Sequence, residues 1–560
     1  MQNSRNGTKG HPQLPHLSRC RRRRRQLAAP LPVALLVATG LLAGGCHGKT
    51  PELPDAPPPA PPAFGIAVAD EPQAALVGRN VLLAGGSAAD AATAMYFTMA
   101  VTLPSAASLG GGGVCVVFDP GEHKVQVLDF LPGIPKVVPP TADRPTAVPG
   151  NVRGFYALQA LYGRVRWPEL LTPAETRARF GTPVSRALAA DLAPVAGGLA
   201  ADPGMRRVFA PDGTFVTEGD SMVQLDLASM LARIRVEGAG DFYTGKAAEK
   251  LIAGTNAAGG SLDRSDLETY VPQWRTPLVV TGKGLAAYLP PPPPMAGAVA
   301  GQMWAMLVIH DAFPHAASSA GHDVLLADAA VRAFAEADRL GLAGPGALPL
   351  ADPQALVART RIEALMASPL PRSPHPHGTL RNENPFAAGL VAADASGQAV
   401  ACQVTLDNLF GTGRMAEGTG IVLAALPDSA GRGSAMLSPM LVTDGDTRRF
   451  RFGATASGGV AAPQALISTA ARALLLDQTL ADAVAAPRLL ALPDLDRVVV
   501  EELTPASAVD ALRGQGPVAT TTADLGRVGA AACADGLPGN TEHCRAVADP
   551  RGSGLALTTD

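Results

Sequence analysis

Seven of the twelve residues from Pro51 to Pro62 are proline. A stretch of that composition favours extended polyproline II and cannot pack a core, so the folded part of the chain has to begin beyond it. From Phe64 to Asp560 there is no second segment like it and no fixed-period repeat. Residues 64–560 therefore read as one continuous layered domain, and the 47% of hydrophobic residues can supply its core.

What precedes the proline run reads as an export signal. Five consecutive arginines, Arg21 to Arg25, lead into an apolar stretch from Leu27 to Gly45, and Gly44 and Gly45 stand directly before Cys46. A charged region, an apolar region and a small-residue site are the parts of a secretory signal. Small residues just before a cysteine resemble a bacterial lipoprotein signal, which predicts that residues 1–45 are removed, that Cys46 is lipidated, and that 46–63 is a spacer. On this reading the protein faces the periplasm, and its lipid is its only contact with a bacterial inner or outer membrane. No later stretch reaches the roughly 20 apolar residues needed to span a bilayer.

Of the 46 Lys and Arg, eight lie in residues 1–45, where there is no Asp or Glu, leaving 38 against 49 acidic residues. A mature chain that acidic is poorly suited to neutralising phosphates, which excludes nucleic acid as a partner. Four of the six cysteines remain once Cys20 leaves with the signal and Cys46 is lipidated. Cys533 and Cys544 flank a turn region containing Gly536, Pro538 and Gly539, and in an oxidising compartment they are expected to form a disulfide. Cys115 and Cys402 lie in apolar strand-like runs and read as buried thiols.

Helical periodicity is clear at 87–101, where Ser87 and Asp90 form a capping box, and at 222–235, 323–340 and 463–476. Strand-like runs include 114–118, 125–130, 390–393, 399–405 and 498–500. The pair 390–393 and 399–405 is joined by Asp394-Ala395-Ser396-Gly397, a good hairpin turn. Helices mixed with hairpins predict an α+β or α/β class with helix-covered sheets.

Gly85-Gly86-Ser87-Ala88-Ala89-Asp90-Ala91-Ala92, followed by Leu103-Pro104-Ser105 and Leu109 with Gly110 to Gly113, resembles the N-terminal signature of the γ-glutamyltransferase family. The four glycines alone could cradle a phosphate or allow close strand packing. Later segments match in order: Val148-Pro149-Gly150, Phe242-Tyr243-Thr244-Gly245, Pro290 to Pro294, Phe410-Gly411-Thr412-Gly413, Ala486-Pro487-Arg488 and Asp549-Pro550-Arg551. The resemblance implies an α+β chain with the N-terminal-nucleophile hydrolase fold, a four-layer αββα sandwich. It further implies a precursor that cuts itself to free a threonine, whose hydroxyl attacks γ-glutamyl carbonyls with its own amine as base, without metal or other cofactor.

The nucleophile is where this sequence departs from the family. Aligning the family's cut-site motif backward from Phe410-Gly411 puts Thr405 on the strand threonine, Asp407 on an asparagine and Asp394 on the motif's aspartate. The nucleophile position, at 386/387, falls on Ala387, and Ala388, Gly389 and Val391 replace the second threonine, the histidine and the serine. Alanine has no oxygen with which to attack a carbonyl, and losing a nucleophile can cost about a million-fold in turnover. The arginine that clamps the substrate carboxylate is replaced by Leu131. The segment that holds the substrate's amino group in the family reads Ala424-Ala425 here, and its substrate-binding serine pair reads Ala435-Met436. The glycines of the oxyanion hole persist as Gly458-Gly459, which could still bind a carbonyl or could reflect tight packing.

Thr379, Ser396 and Ser438 are the substitutes considered for the nucleophile, Thr379 because it follows Gly378 and could begin a shifted small subunit. None has the family's spacing. His375 and His377 read as a polar loop rather than a metal site, and Glu501-Glu502 as a solvated strand end. The sequence thus predicts a family member without self-cleavage or γ-glutamyl transfer that binds an unidentified small molecule or peptide, or serves as a scaffold. The vestigial pocket would retain Thr405, Asp407, Gly458 and Gly459. The alternative is an active glutathione hydrolase-like amidase with a divergent nucleophile.

Overall fold

A computed structural model describes residues 64–559 apart from 312, 317, 343–349, 372–386 and 428–432. The signal-like segment, Cys46, the proline spacer, His375, His377 and Thr379 lie outside the described residues. No helix among the described residues is long and apolar enough to cross a membrane.

Along the chain, the strands of two large sheets are β1 (Gly65–Ala69), β2 (Gly112–Asp119), β3 (Lys124–Phe130), β4 (Gln273–Arg275), β5 (Leu278–Gly282), β6 (Leu285–Leu289), β7 (Ala387–Asp394), β8 (Ala399–Thr405), β9 (Met440–Asp444), β10 (Phe450–Ser457), β11 (Arg527–Leu537), β12 (Cys544–Val547) and β13 (Leu555–Thr558). The first sheet runs β13-β1-β7-β8-β2-β3-β4 and the second β12-β11-β10-β9-β6-β5. Both are antiparallel.

Alternation along the strands builds three cores. Ala388, Leu390 and Ala392 of β7 face helices α1 (Pro72–Leu83), α2 (Ala88–Thr102), α3 (Asn151–Tyr162) and α4 (Trp167–Phe180). Val391 and Ala393 instead meet Leu441, Phe450 and Ala531 of the second sheet. The far face of that sheet, with Val442, Phe452 and Ala454, packs on α7 (Met295–Val308), α8 (Ser319–Arg339) and α9 (Ala462–Leu475). Two further helices, α5 (Arg186–Leu192) and α6 (Leu225–Glu237), belong to the first helical layer. The order helix, sheet, sheet, helix is the four-layer sandwich that the resemblance implied.

Several sequence signals act through packing. The capping box of α2 is present, with Asp90 N–H donating to Ser87 Oγ at 3.1 Å and Ser87 N–H to Asp90 Oδ2 at 2.9 Å. Asp394 also reaches this helix end and accepts from Ala88 N–H at 3.1 Å, an anionic side chain at a helix N-terminus. The glycine tract is a close-packing device rather than a phosphate cradle. A Cβ on Gly113 would lie 2.2 Å from the Gln403 carbonyl oxygen, and one on Gly111 would lie 2.3 Å from that of Thr405.

Two expectations are corrected. Cys115 and Cys402 are not thiols but a disulfide. They are directly opposed in the β2–β8 register and fully buried, a pairing that no local spacing discloses. The helix expected at 222–235 starts at Leu225, because Met222 pairs with Thr182 in a short two-stranded ribbon. The Cys533–Cys544 disulfide is present as expected, across the β11–β12 pair.

Candidate functional site

Ala387 is the first residue of β7 and lies opposite Thr405 of β8. It is partly buried and packs against the core between the two sheets. Two residues on, Gly389 has no room for a side chain, since a Cβ there would sit 2.2 Å from Thr455 Oγ1 and 2.8 Å from Thr455 Cβ. The strand that would carry a nucleophile is therefore pressed onto β10. Asp70 fixes it as well, its carboxylate accepting from Gly389 N–H at 2.7 Å while its own N–H donates to the Gly389 carbonyl at 3.1 Å.

A cleft opens beside Ala387 where the ends of β1, β7, β10 and β11 meet α5 and the C-terminal segment. Its polar lining includes Asp70, Asp191, Ser457, Arg527, Asp549 and Ser553. Ser105 donates its hydroxyl proton to Asp191 at 2.6 Å. Burial pushes the Asp70 carboxyl up to about 6, and the charges of Asp549 and Asp191 act in the same direction against the Gly389 N–H and Arg527. Burial likewise raises Asp191 to about 6, opposed by the Ser105 hydroxyl and Arg527. Two carboxylates poised near neutrality in one cleft mark a functional-site candidate on electrostatic grounds. The sequence reading missed Asp70, Asp191 and Arg527. The one local signal was an acidic residue ending the apolar run Gly65 to Ala69.

The residues singled out from the sequence are not gathered in this cleft. Ala387 and Ser457 line it, but Gly458, Gly459, Thr405 and Asp407 are not among its lining residues. Thr405 Oγ1 accepts from Asp407 N–H at 2.9 Å, and Asp407 Oδ1 accepts from Ser434 N–H at 2.7 Å, so both brace the chain after β8. Gly458 has φ +129°, and a Cβ there would lie 2.6 Å from Gly526 Cα. Tight packing is thus reason enough for that glycine. Leu131 packs on the same inter-sheet core as Ala387. The nearby Arg275 pairs through its Nε with Asp129 Oδ2 at 2.8 Å.

Among the substitutes, Ser438 is fully buried and Ser396 sits in the hairpin turn, donating to Asp394. No group of three or more His, Cys, Asp or Glu that could hold a metal occurs among the described residues.

The reading of Glu501 as a solvated strand end is also corrected. Its Oε2 is 2.6 Å from Arg551 Nη2 and accepts from Arg488 N–H at 3.0 Å. Arg488 in turn pairs with Asp549, both side chains being 2% exposed, and Asp549 accepts from Val528 N–H at 2.7 Å. These four residues form a largely buried ion network behind the cleft. Three of its members, Arg488, Asp549 and Arg551, come from the segments 486–488 and 549–551 that resemble the family, and Glu501 joins them from the end of a valine strand.

Comparison with known proteins fits this architecture. The gamma-glutamyltranspeptidase family model matches residues 74–559. The acylase ACY 1 proenzyme of Pseudomonas sp. strain SE83 is 31% identical over 390 residues, covering 65% of this chain and 69% of the relative. The glutathione hydrolase proenzyme of Pseudomonas aeruginosa is 30% identical over 392 residues, with 64% and 67% covered. Among solved structures, the cephalosporin acylase from Bacillus halodurans superposes with a TM-score of 0.76 at 21% identity, over 91% of this chain and 99% of that one, a likeness of fold. With the four layers in place and the match running through nearly the whole folded part, the chain belongs to the γ-glutamyltranspeptidase family.

Proposed function

We propose that this family member neither cleaves itself nor transfers γ-glutamyl groups, and that it works by binding a small molecule or peptide, or as a scaffold. The observation that carries the reading is Ala387. The residue that opens β7 and lines the cleft has a methyl group where the reaction needs an oxygen. Leu131 and the alanines at 424 and 425 support it, since a γ-glutamyl zwitterion placed against them leaves charged groups without partners, at about 1–3 kcal/mol or more each. The signal-like leader and Cys46 support an exported, lipid-anchored protein facing the periplasm, and the two disulfides favour an oxidising compartment.

The alternative is an active amidase of the glutathione hydrolase type using another nucleophile, favoured by relatives that carry the names glutathione hydrolase and acylase. Purified protein decides between them. One reduced polypeptide with no release of anilide from a γ-glutamyl anilide is expected. Two reduced chains with a new N-terminus between 378 and 390, or turnover abolished by Thr379→Ala, would establish the alternative.

A further inference from the structure

The second sheet ends at β5, and the outer edge of that strand is met by a side chain instead of another strand. Val279 N–H donates to Gln354 Oε1 at 2.9 Å, and Gln354 Nε2 donates to the Val279 carbonyl at 2.7 Å. A carboxamide carries the donor and acceptor of a peptide group, so Gln354 stands where one residue of a neighbouring strand would pair. Its turn, Pro353–Val357, is held to α7 by the buried Gln302, which donates to the Leu356 carbonyl at 3.0 Å.

The next position of the same kind is open. Along an antiparallel strand the N–H and C=O of alternate residues point toward the partner strand and away from it. Val279 points away from β6, and so therefore does Thr281, two residues on and opposite Ala286. Thr281 is exposed, and no hydrogen bond from outside the sheet reaches its N–H or its carbonyl among the described residues. Such an open edge is a template for another chain.

This edge faces a cavity of about 560 Å³, a size ordinary for ligand sites. Ala305, Val308, Ile309, Val357 and Ile362 give it an aliphatic wall. The charged residues of the lining are already paired, Asp311 with Lys283 at 2.8 Å and Arg359 with Glu363 at 2.9 Å. A charged ligand therefore meets no spare countercharge among the described residues. What is offered is one backbone donor and one backbone acceptor beside an apolar recess, and the carboxamide on Val279 shows the chemistry that fits this edge.

We propose that the edge of β5 docks an extended, uncharged peptide segment of another polypeptide, which pairs with Thr281 as an added strand and lays an aliphatic side chain into the cavity. Gln354 sets the register by occupying the position beyond. The site shares no lining residue with the cleft beside Ala387, so it goes beyond the reading above and stands whether or not the chain is catalytic.

The test is a ligand-detected NMR titration of the intact chain with the acetylated, amidated pentapeptide Thr-Val-Thr-Val-Thr and with the same peptide N-methylated at every residue. The first is expected to bind and the second not, because N-methylation removes the donors and keeps the side chains. Thr281→Pro deletes the outward N–H without breaking a ladder bond, a place where edge strands tolerate proline, and should weaken binding about tenfold, the scale of one hydrogen bond. Gln354→Ala uncovers the second pair of groups at Val279 and should tighten binding by a similar factor. Should Thr281→Pro fail to fold, the N-methylated peptide and Gln354→Ala still decide. No binding of the parent peptide, equal binding of the N-methylated one, indifference to Thr281→Pro, or failure of Gln354→Ala to tighten binding each overturns the proposal. Concentration-dependent dimerisation that Thr281→Pro abolishes would make a second copy of this chain the occupant, and overturns it as well.

Discussion

Asp70 and Gly389 exchange two hydrogen bonds, the Asp70 carboxylate taking the Gly389 N–H and the Asp70 N–H giving to the Gly389 carbonyl. The contact pins the start of β7, two residues from the position of the missing nucleophile, with a carboxyl group that burial has pushed up to about 6.

That carboxyl gives the protein a pH dependence of definite sign. Unfolded, Asp70 titrates near its ordinary 3.8; folded, near 6. Between those values the folded state holds more protons, so this group's contribution to stability falls as pH rises from about 4 to about 6. Asp191 acts in the same direction. Asp70→Asn should therefore gain stability relative to the wild type as pH rises through that window. Urea midpoints of both proteins at pH 4 and pH 7 check this, and an unchanged difference would show that Asp70 has no raised pKa.

Restoring the family's residues at the cut site should not be symmetric. Ala387→Thr places a hydroxyl at a partly buried strand end and is expected to fold. Gly389→Ala puts a Cβ into Thr455 and should destabilise by about 1–3 kcal/mol, as overpacked substitutions do. Thr455→Ala in the same chain should recover part of the loss. Denaturant unfolding measures all three. The Ala387→Thr protein should still show no anilide release, because Leu131 leaves the substrate carboxylate without its arginine.

The ion network behind the cleft should be among the costliest places to mutate. Asp549→Ala leaves Arg488 buried and uncompensated and frees Val528 N–H, so a loss of about 3–5 kcal/mol is expected in urea unfolding. Because the Asp549 charge helps to raise Asp70, the same variant should titrate Asp70 at lower pH. A loss below 1 kcal/mol would mean that the pair is not buried as described.

Cys46→Ser tests the export proposal. Membrane fractions should retain the wild type and release the variant to the soluble periplasm. A wild type already soluble there would remove the lipid anchor.

The layered fold was largely legible because strand alternation and helical periodicity are local. Leu390 to Ala393 and Ala399 to Thr405 announced their hairpin through Gly397, which adopts φ +89° in the turn. The cleft was not legible. Asp70, Asp191 and Arg527 are scattered along the chain, and each is an ordinary surface residue until the sheet ends converge. Glu501 failed for the same reason, since its partner Arg551 is fifty positions away and the local text shows only a valine strand followed by acids. The glycine tract left a phosphate cradle and close strand packing both open, because only the opposing carbonyls reveal which close approach it permits.

The Cys115–Cys402 bridge gives the molecule a connectivity that its linear sequence hides. Residues 115 and 402, 287 positions apart, close a ring that contains the 386/387 position, with two tails outside it. A protease nick anywhere within that ring opens it without shedding a fragment. The two new ends stay tethered at high effective concentration, able to rejoin the same sheet as a unimolecular event. In a protease-rich compartment such a chain survives single cuts as one molecule, and only a reductant shows that it has been cut.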